Sequence, residues 1–416
     1  MVSARRTAIA RRAKRLVGYW RSERRTLAQG LVALVLSTLA SFVAGLTLSA
    51  IEGRLRALPG LVILIPASVG MRGVISGATG ARLGTAVATG LFEVSWRRGS
   101  PLRQNATVGA ILTLASSVMI AALATVAAAA FGRETIGFLS LVTISVIGGT
   151  VGSVFVLFVT IGVAIISFRR SYDLDAVATP VVTAIGDMVT LPAIFLASFL
   201  VGGGGQDTAL AVGCLAVAGV AVIAGIRSEP GVRRILLEML GVIVLVPILD
   251  VLAGVVLDAQ SRRFAAFGGL LMVIPPFMSQ AGALGGILSS RLSSKLQLGV
   301  ISPRGRPETP ALVDMSLVIG FGAVIFTFIG AFGFELSGLI GFARPEAGQM
   351  VGSTILAGLL VLPVALVLGY YLAVGTSRFG LDPDNHSVPL ITGVMDLTAV
   401  AAFVFALSVS GVAGHG

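Results

Sequence analysis

Residues 180–192, PVVTAIGDMVTLP, and residues 389–398, PLITGVMDLT, share one frame in which a single acid stands inside an apolar run. The acids are Asp187 and Asp396, and 396 minus 187 gives a separation of 209 residues. The same offset carries Pro66 onto Pro275, Gly73 onto Gly282, Arg82 onto Arg291 and Gly90 onto Gly299. It also carries Asp173 onto Asp382, Asp175 onto Asp384 and Thr183 onto Thr392, so both ends of each copy stay in register. The chain is therefore read as a duplicated unit. A carboxylate inside a hydrophobic span is costly to bury and by default marks a functional site. Two of them related by internal symmetry point to a cation site on the symmetry axis.

Of the 416 residues, 56% are hydrophobic and 12% charged, against about 25% charged in soluble domains. Such a chain cannot cover itself with a hydrated surface, and its apolar runs are long enough to cross a bilayer core of about 30 Å. The runs are continuous rather than alternating, which selects helices over a closed barrel. The net charge of +11 is concentrated at the start, where residues 1–26 carry nine basic side chains against Glu23. Ahead of a membrane span, this stretch reads as a cytoplasmic topogenic tail on anionic lipid rather than a nucleic-acid arm. Cys214 is the lone cysteine, so disulfides and cysteine-based metal sites are excluded.

Apolar runs between charged breaks predict spans near 27–50, 58–92, 105–131, 136–167 and 177–201, repeated near 235–257, 266–299, 312–341, 349–375 and 387–412. One further span, near 208–226, lies between the copies. The predicted fold is an all-α polytopic membrane protein of about 11 spans. Its two five-helix repeats run parallel because the linker transmembrane helix adds one crossing, and a pseudo-twofold axis lies along the membrane normal. The corresponding domains are the basic tail 1–26, the first repeat 27–205, a linker helix and loop 206–232, and the second repeat 233–416. Basic residues favour a cytoplasmic N-terminus and an external C-terminus, although Arg54, Arg56, Arg262 and Arg263 run against the bias. The second span of each copy is too long for one perpendicular helix, so tilting, kinking or protrusion is expected.

Facing carboxylates at about 7 Å repel by about 2 to 3 kcal/mol at an effective dielectric of about 20. A cation between Asp187 and Asp396 removes that repulsion. Magnesium suits such a site, because it surrenders water reluctantly and a wide site can hold its hydration shell. The bland alternative is a structural ion pair with Arg72, Arg82 or Arg291. Thr183 and Thr392 lie one turn before the aspartates and are pore-lining candidates, unless their hydroxyls bond back to the helix. Gly73, Gly282 and Gly186 are further candidates, since glycine exposes backbone carbonyls to a pore. Asp173, Asp175, Asp382 and Asp384 form either helix caps and turns or an acidic cytoplasmic mouth. Arg82 and Arg291 are read as snorkelling structural residues or an electrostatic gate. Asp250 and Glu335, each present in one copy, are read as interfacial or peripheral to the pore.

The stretches PASVGMRGVISGATGARLGTAVATG, PPFMSQAGALGGILSSRLSSKLQLG, DLDAVATPVVTAIGDMVT and LDPDNHSVPLITGVMDLT resemble the MgtE magnesium transport family, above all its duplicated solute-carrier 41 relatives. The resemblance implies that two units found as a homodimer in bacterial members are fused here into one chain working as a pseudo-dimer. Their pore lies between the units, and Asp187 and Asp396 match the family's magnesium-binding aspartate. Members often carry Asn after the second-span glycine, where this chain has Val74 and Ala283. The family's cytoplasmic sensor domains are replaced here by the short tail, so magnesium sensing is expected within the membrane part.

The expected function is divalent cation transport across the cell membrane, with Mg2+ as the transported and bound ion and no organic cofactor. A sodium- or proton-coupled exchanger is the alternative. A membrane-embedded enzyme fits less well, because the two histidines and one cysteine form no catalytic spacing near the aspartates.

Overall fold

The computed structural model describes residues 24–88, 90–170, 174–202, 205–381 and 383–412, and all regular structure among them is helical. The first half consists of α1 (Arg24–Ala50), the short α2 (Glu52–Ala57), α3 (Leu61–Ala88), α4 (Pro101–Ala130), α5 (Phe138–Arg170) and α6 (Leu174–Ser198). Helix α7 (Gly205–Ile226) follows. The second half repeats the series as α8 (Pro230–Asp258), α9 (Ser261–Ala266), α10 (Gly268–Gln297), α11 (Thr309–Ile340), α12 (Ala347–Phe379) and α13 (Pro383–Val409). The 209-residue offset carries both ends of α2 onto α9 and of α5 onto α12. Ten of these helices are long and apolar enough to cross a membrane, and the apolar stretch Ile185–Ser198 of α6 accompanies them. The protein is an integral membrane protein built on an internal repeat.

Each predicted second span, 58–92 and 266–299, holds one long helix, of 28 and 30 residues, and a short charged helix precedes it. That short helix, α2 or α9, breaks at Leu58 or Phe267. The long helix then runs uninterrupted through Pro66 in α3 and through Pro275 and Pro276 in α10. At 1.5 Å per residue, the 28 residues of α3 span about 42 Å, more than a bilayer core of about 30 Å, so tilt or protrusion is still required. Both helices stop the same way. Gly90 and Gly299 take positive φ, 72° and 69°, and the following amides donate back to Ala86 and Lys295 at 2.9 Å.

Packing is crosswise. Helix α1 lies against α10 and α6, while α8 lies against α3 and α13, so each first span embraces the long helix of the other repeat. Two glycines make this possible. A Cβ at Gly45 would overlap the carbonyl of Met272 in α10, and one at Gly254 would overlap Ile63 in α3, lying 2.7 Å from its Cα. The offset relates both members of these contacts. Helices α3 and α10 are the most enclosed spans, whereas α7 packs on α4 and α5 at the periphery and is the least enclosed.

Two of the arginines that run against the charge bias have structural partners. Arg54 of α2 donates to the Ser198 carbonyl at 2.7 Å and lies over the Phe199 ring. Its equivalent, Arg263 of α9, donates to Ser408 Oγ at 2.7 Å. Both bind the end of a fifth-span helix, where cations complement the helix dipole.

The crosswise contact is testable by adding one methyl group. Gly45→Ala and Gly254→Ala are each expected to destabilise the detergent-solubilised protein by about 2 kcal/mol or more, because rigid backbone must move apart. Gly53→Ala, whose Cβ meets nothing within 4 Å, should leave the thermal midpoint unchanged.

Candidate cation site

Crosswise packing brings three helices together at each aspartate. Asp187 on α6 meets α1 of its own repeat and α10 of the other; Asp396 on α13 meets α8 and, from the other repeat, α3. Both carboxylates are buried, 6% and 5% exposed, and lie within electrostatic reach of each other. Among the described residues, none of the ion pairs involves either aspartate. The structural ion-pair alternative therefore does not hold.

The two half-sites differ chemically although their backbones correspond. Ser41 Oγ donates to Asp187 Oδ2 at 2.9 Å, and the Ser279 hydroxyl of α10 stands close to the same carboxylate. Beside them, Gln280 Nε2 donates to Ser37 Oγ at 3.4 Å. In the other half-site the offset replaces Ser41 by Asp250, Ser279 by Gly70, Gln280 by Met71 and Ser37 by Val246. A carboxylate beside two hydroxyls, one of them a donor to it, thus corresponds to a pair of carboxylates on the other side.

Asp250 is fully buried, and neither of its oxygens has a hydrogen-bond partner. A Cβ built on Gly70 would stand 2.5 Å from Asp250 Oδ2 and 3.1 Å from Asp396 Oδ2. The two oxygens are therefore no further apart than those distances combined. Of the two readings of Asp250, the interfacial one holds: it lies at the contact between repeats, against Asp396 and Gly70. Glu335, by contrast, is exposed on α11. Asp250 carries a sequence signal that is visible in hindsight: the offset lands it on a hydroxyl residue within an otherwise apolar first span.

The remaining candidates divide. Thr392 donates to the Val388 carbonyl at 3.0 Å, so its hydroxyl bonds back to its own helix, and its methyl group lies 3.4 Å from a Cβ built on Gly282. At Gly73, by contrast, no described atom would come within 4 Å of an added Cβ. Gly186 is buried on α6, where an added Cβ would meet Val156 at 3.9 Å. Arg82 and Arg291 bond to partners that the offset matches. Arg82 Nε donates to Asn105 Oδ1 at 2.7 Å, and Arg291 Nε donates to Asp314 Oδ1 at 3.0 Å, with Lys295 also on Asp314 at 2.6 Å. Those contacts tie α3 to α4 and α10 to α11. The tail 1–23 and the side chains of Thr183, Asp173, Asp175, Asp382 and Asp384 lie outside the described residues.

A duplicated helical unit with buried carboxylates and no cationic partner is built to attract cations. Comparison with known proteins agrees. Solute carrier family 41 member 3 of Rattus norvegicus is 26% identical over 419 residues, covering 92% of this chain and 87% of that protein. The protein of the same name from Mus musculus is 27% identical over 380 residues, covering 83% and 75%. No solved structure matches the chain. The MgtE family, described as divalent cation transporter, matches twice, at residues 65–197 and 274–406, the same offset apart. Those two segments make up more than half of the chain, which belongs to the MgtE family of divalent cation transporters.

Proposed function

We propose that this chain carries magnesium across the plasma membrane as a largely hydrated ion. The passage runs between the repeats, and the ion is held at the axis by Asp187, Asp396 and Asp250. The observation that supports this most directly is the approach of the Asp250 and Asp396 carboxylates across Gly70, with Asp187 in electrostatic reach. The two oxygens lie at most 2.5 plus 3.1, or 5.6 Å, apart, where two such charges repel by at least about 3 kcal/mol at an effective dielectric of about 20. A divalent cation converts that repulsion into attraction.

The ion's water is part of the recognition. Among the described residues, no three Asp, Glu, His or Cys side chains converge as chelating ligands for a metal ion. A wide ring of carboxylates favours an ion that keeps its hydration shell, which is the habit of magnesium rather than calcium. Ser41, with Ser279 beside it, orients the Asp187 carboxylate so that its remaining lone pairs can accept from that shell. In this reading the N-terminus is cytoplasmic, the basic tail rests on anionic lipid, and one chain provides both halves of the pore.

Asp250 also favours a second reading. The internal symmetry requires two carboxylates, and the third could retain a sodium ion or proton when magnesium leaves, as a coupled exchanger requires. Flux through purified protein in liposomes separates the two. Downhill magnesium movement without any sodium or proton gradient is expected; uphill accumulation driven by either gradient would select the exchanger.

Gly70 provides a sharper local test. Gly70→Ala places a methyl group against both carboxylates and should reduce magnesium flux by about tenfold or more, equivalent to about 1.4 kcal/mol. The protein should still elute as a folded monodisperse species. Undiminished flux in that variant would remove the Asp250–Asp396 pair from the pathway.

A further inference from the structure

Arg72 is 5% exposed and lies inside the first repeat, between α3, α4 and α5. Among the described residues, no carboxylate forms an ion pair with it. Gly70 faces the carboxylates of the cation site, and at about 100° per residue Arg72 points about 200° away, on the far side of α3. Its Nε donates to Ser153 Oγ at 3.3 Å, while Nη1 has no hydrogen-bond partner. A buried guanidinium in this condition carries both an unmet donor and an uncompensated charge.

The guanidinium borders a cavity of about 90 Å³, well above the roughly 15 Å³ of such space that one water needs. Most hydroxyls on its wall bond back to their own helices, as Ser76, Thr79, Thr150 and Thr160 do. Ser153 differs. Its oxygen accepts from Arg72 Nε and from Thr113 Oγ1 at 2.9 Å, so its own proton is left to donate to a third group. The cavity is therefore bordered by one cation and one hydroxyl with a proton to donate, in an otherwise apolar wall, and no acidic side chain lines it.

This arrangement is confined to one repeat. The offset replaces Arg72 by Ala281, Ser153 by Leu362, Ser117 by Phe326 and Thr79 by Leu288. Helix α5 is notched for the guanidinium, since a Cβ on Gly149 would lie 2.6 Å from Arg72 Nη2. The equivalent notch at Gly358 is filled by the Phe326 ring, whose Cγ would lie 2.7 Å from an added Cβ. The same volume is thus a cavity beside a guanidinium in one repeat and filled core in the other, so the fold does not demand the cavity.

We propose that the first repeat binds one small monovalent anion, of the size and chemistry of chloride, in this cavity, against both the Arg72 guanidinium and the Ser153 hydroxyl. A single negative charge neutralises the guanidinium, whereas a dianion would leave a charge unbalanced in a low-dielectric interior. Lipid headgroups stay out of reach, because Arg72 lies only about 3 Å further along α3 than Gly70, deep within the span. Occupancy would also screen the guanidinium from the carboxylates across α3, a consequence that rests on the cation-site reading above; the binding itself does not.

The test is a thermal titration of the full chain in lipid nanodiscs, with sodium chloride replacing sodium gluconate at constant ionic strength and no magnesium present. Wild type should show a saturable rise in thermal midpoint of about 2 °C or more, as expected for a ligand that binds only the folded state. Arg72→Gln and Ser153→Leu should abolish the rise, and Ser153→Leu decides if Arg72→Gln does not fold. No chloride-dependent rise in wild type, or an equal rise in Ser153→Leu, would overturn the proposal. Because magnesium is absent, failure here leaves the cation-site reading untouched, and failure of that reading leaves this result standing.

Discussion

Two backbone contacts, Gly45 on Met272 and Gly254 on Ile63, determine what the rest of the molecule can do. Each lets a first span close onto the long helix of the opposite repeat with no side chain between them. Small residues matter more in lipid than in water, because helix association there depends on close van der Waals approach rather than on hydrophobic expulsion. With α1 drawn onto α10 and α8 onto α3, Asp187 of α6 and Asp396 of α13 come within electrostatic reach of each other. Their aspartates thereby acquire neighbours from the other repeat: Ser279 for Asp187, and Gly70 for Asp396. The site belongs to neither repeat alone.

Fusion of the two units into one chain has allowed that site to lose its symmetry. A true dimer must change both half-sites together, whereas here Ser41 and Asp250 occupy equivalent places, as do Ser279 and Gly70. One half-site sets a single carboxylate beside two hydroxyls, and the other opposes two carboxylates across a glycine. The divergence extends across α3, where Arg72 and its cavity correspond to the aromatic and aliphatic packing around Phe326 and Leu362. By contrast, the parts that hold the scaffold keep their match. Arg82 with Asn105 repeats as Arg291 with Asp314, and Arg54 repeats as Arg263.

Much of this architecture is legible before any coordinates, because the 209-residue offset is carried by Pro, Gly, Arg and Asp at several separate points. The helices, the extra crossing at α7 and the place of Asp187 and Asp396 all follow from it together with the lengths of the apolar runs. Asp250 escapes that reading because weight goes to matched acids, and an acid opposite a serine looks like noise. Its importance depends on which helices cross, and hydropathy carries no information about crossing partners. Arg72 is visible as unmatched, but its free donor and the available proton of Ser153 are properties of packing between α3, α4 and α5. The short helices α2 and α9 escape the apolar-run reading because they carry Glu52, Arg54 and Arg56, and Arg262 and Arg263, and so look like charged breaks between spans.

The central claim is that carboxylates at the inter-repeat axis hold the transported ion. Magnesium uptake into liposomes with a trapped magnesium-sensitive dye, comparing wild type with the Asp187→Asn, Asp396→Asn double variant at matched incorporation, tests it most directly. The account predicts uptake reduced to the level of protein-free liposomes while the variant remains folded; uptake equal to wild type would contradict it.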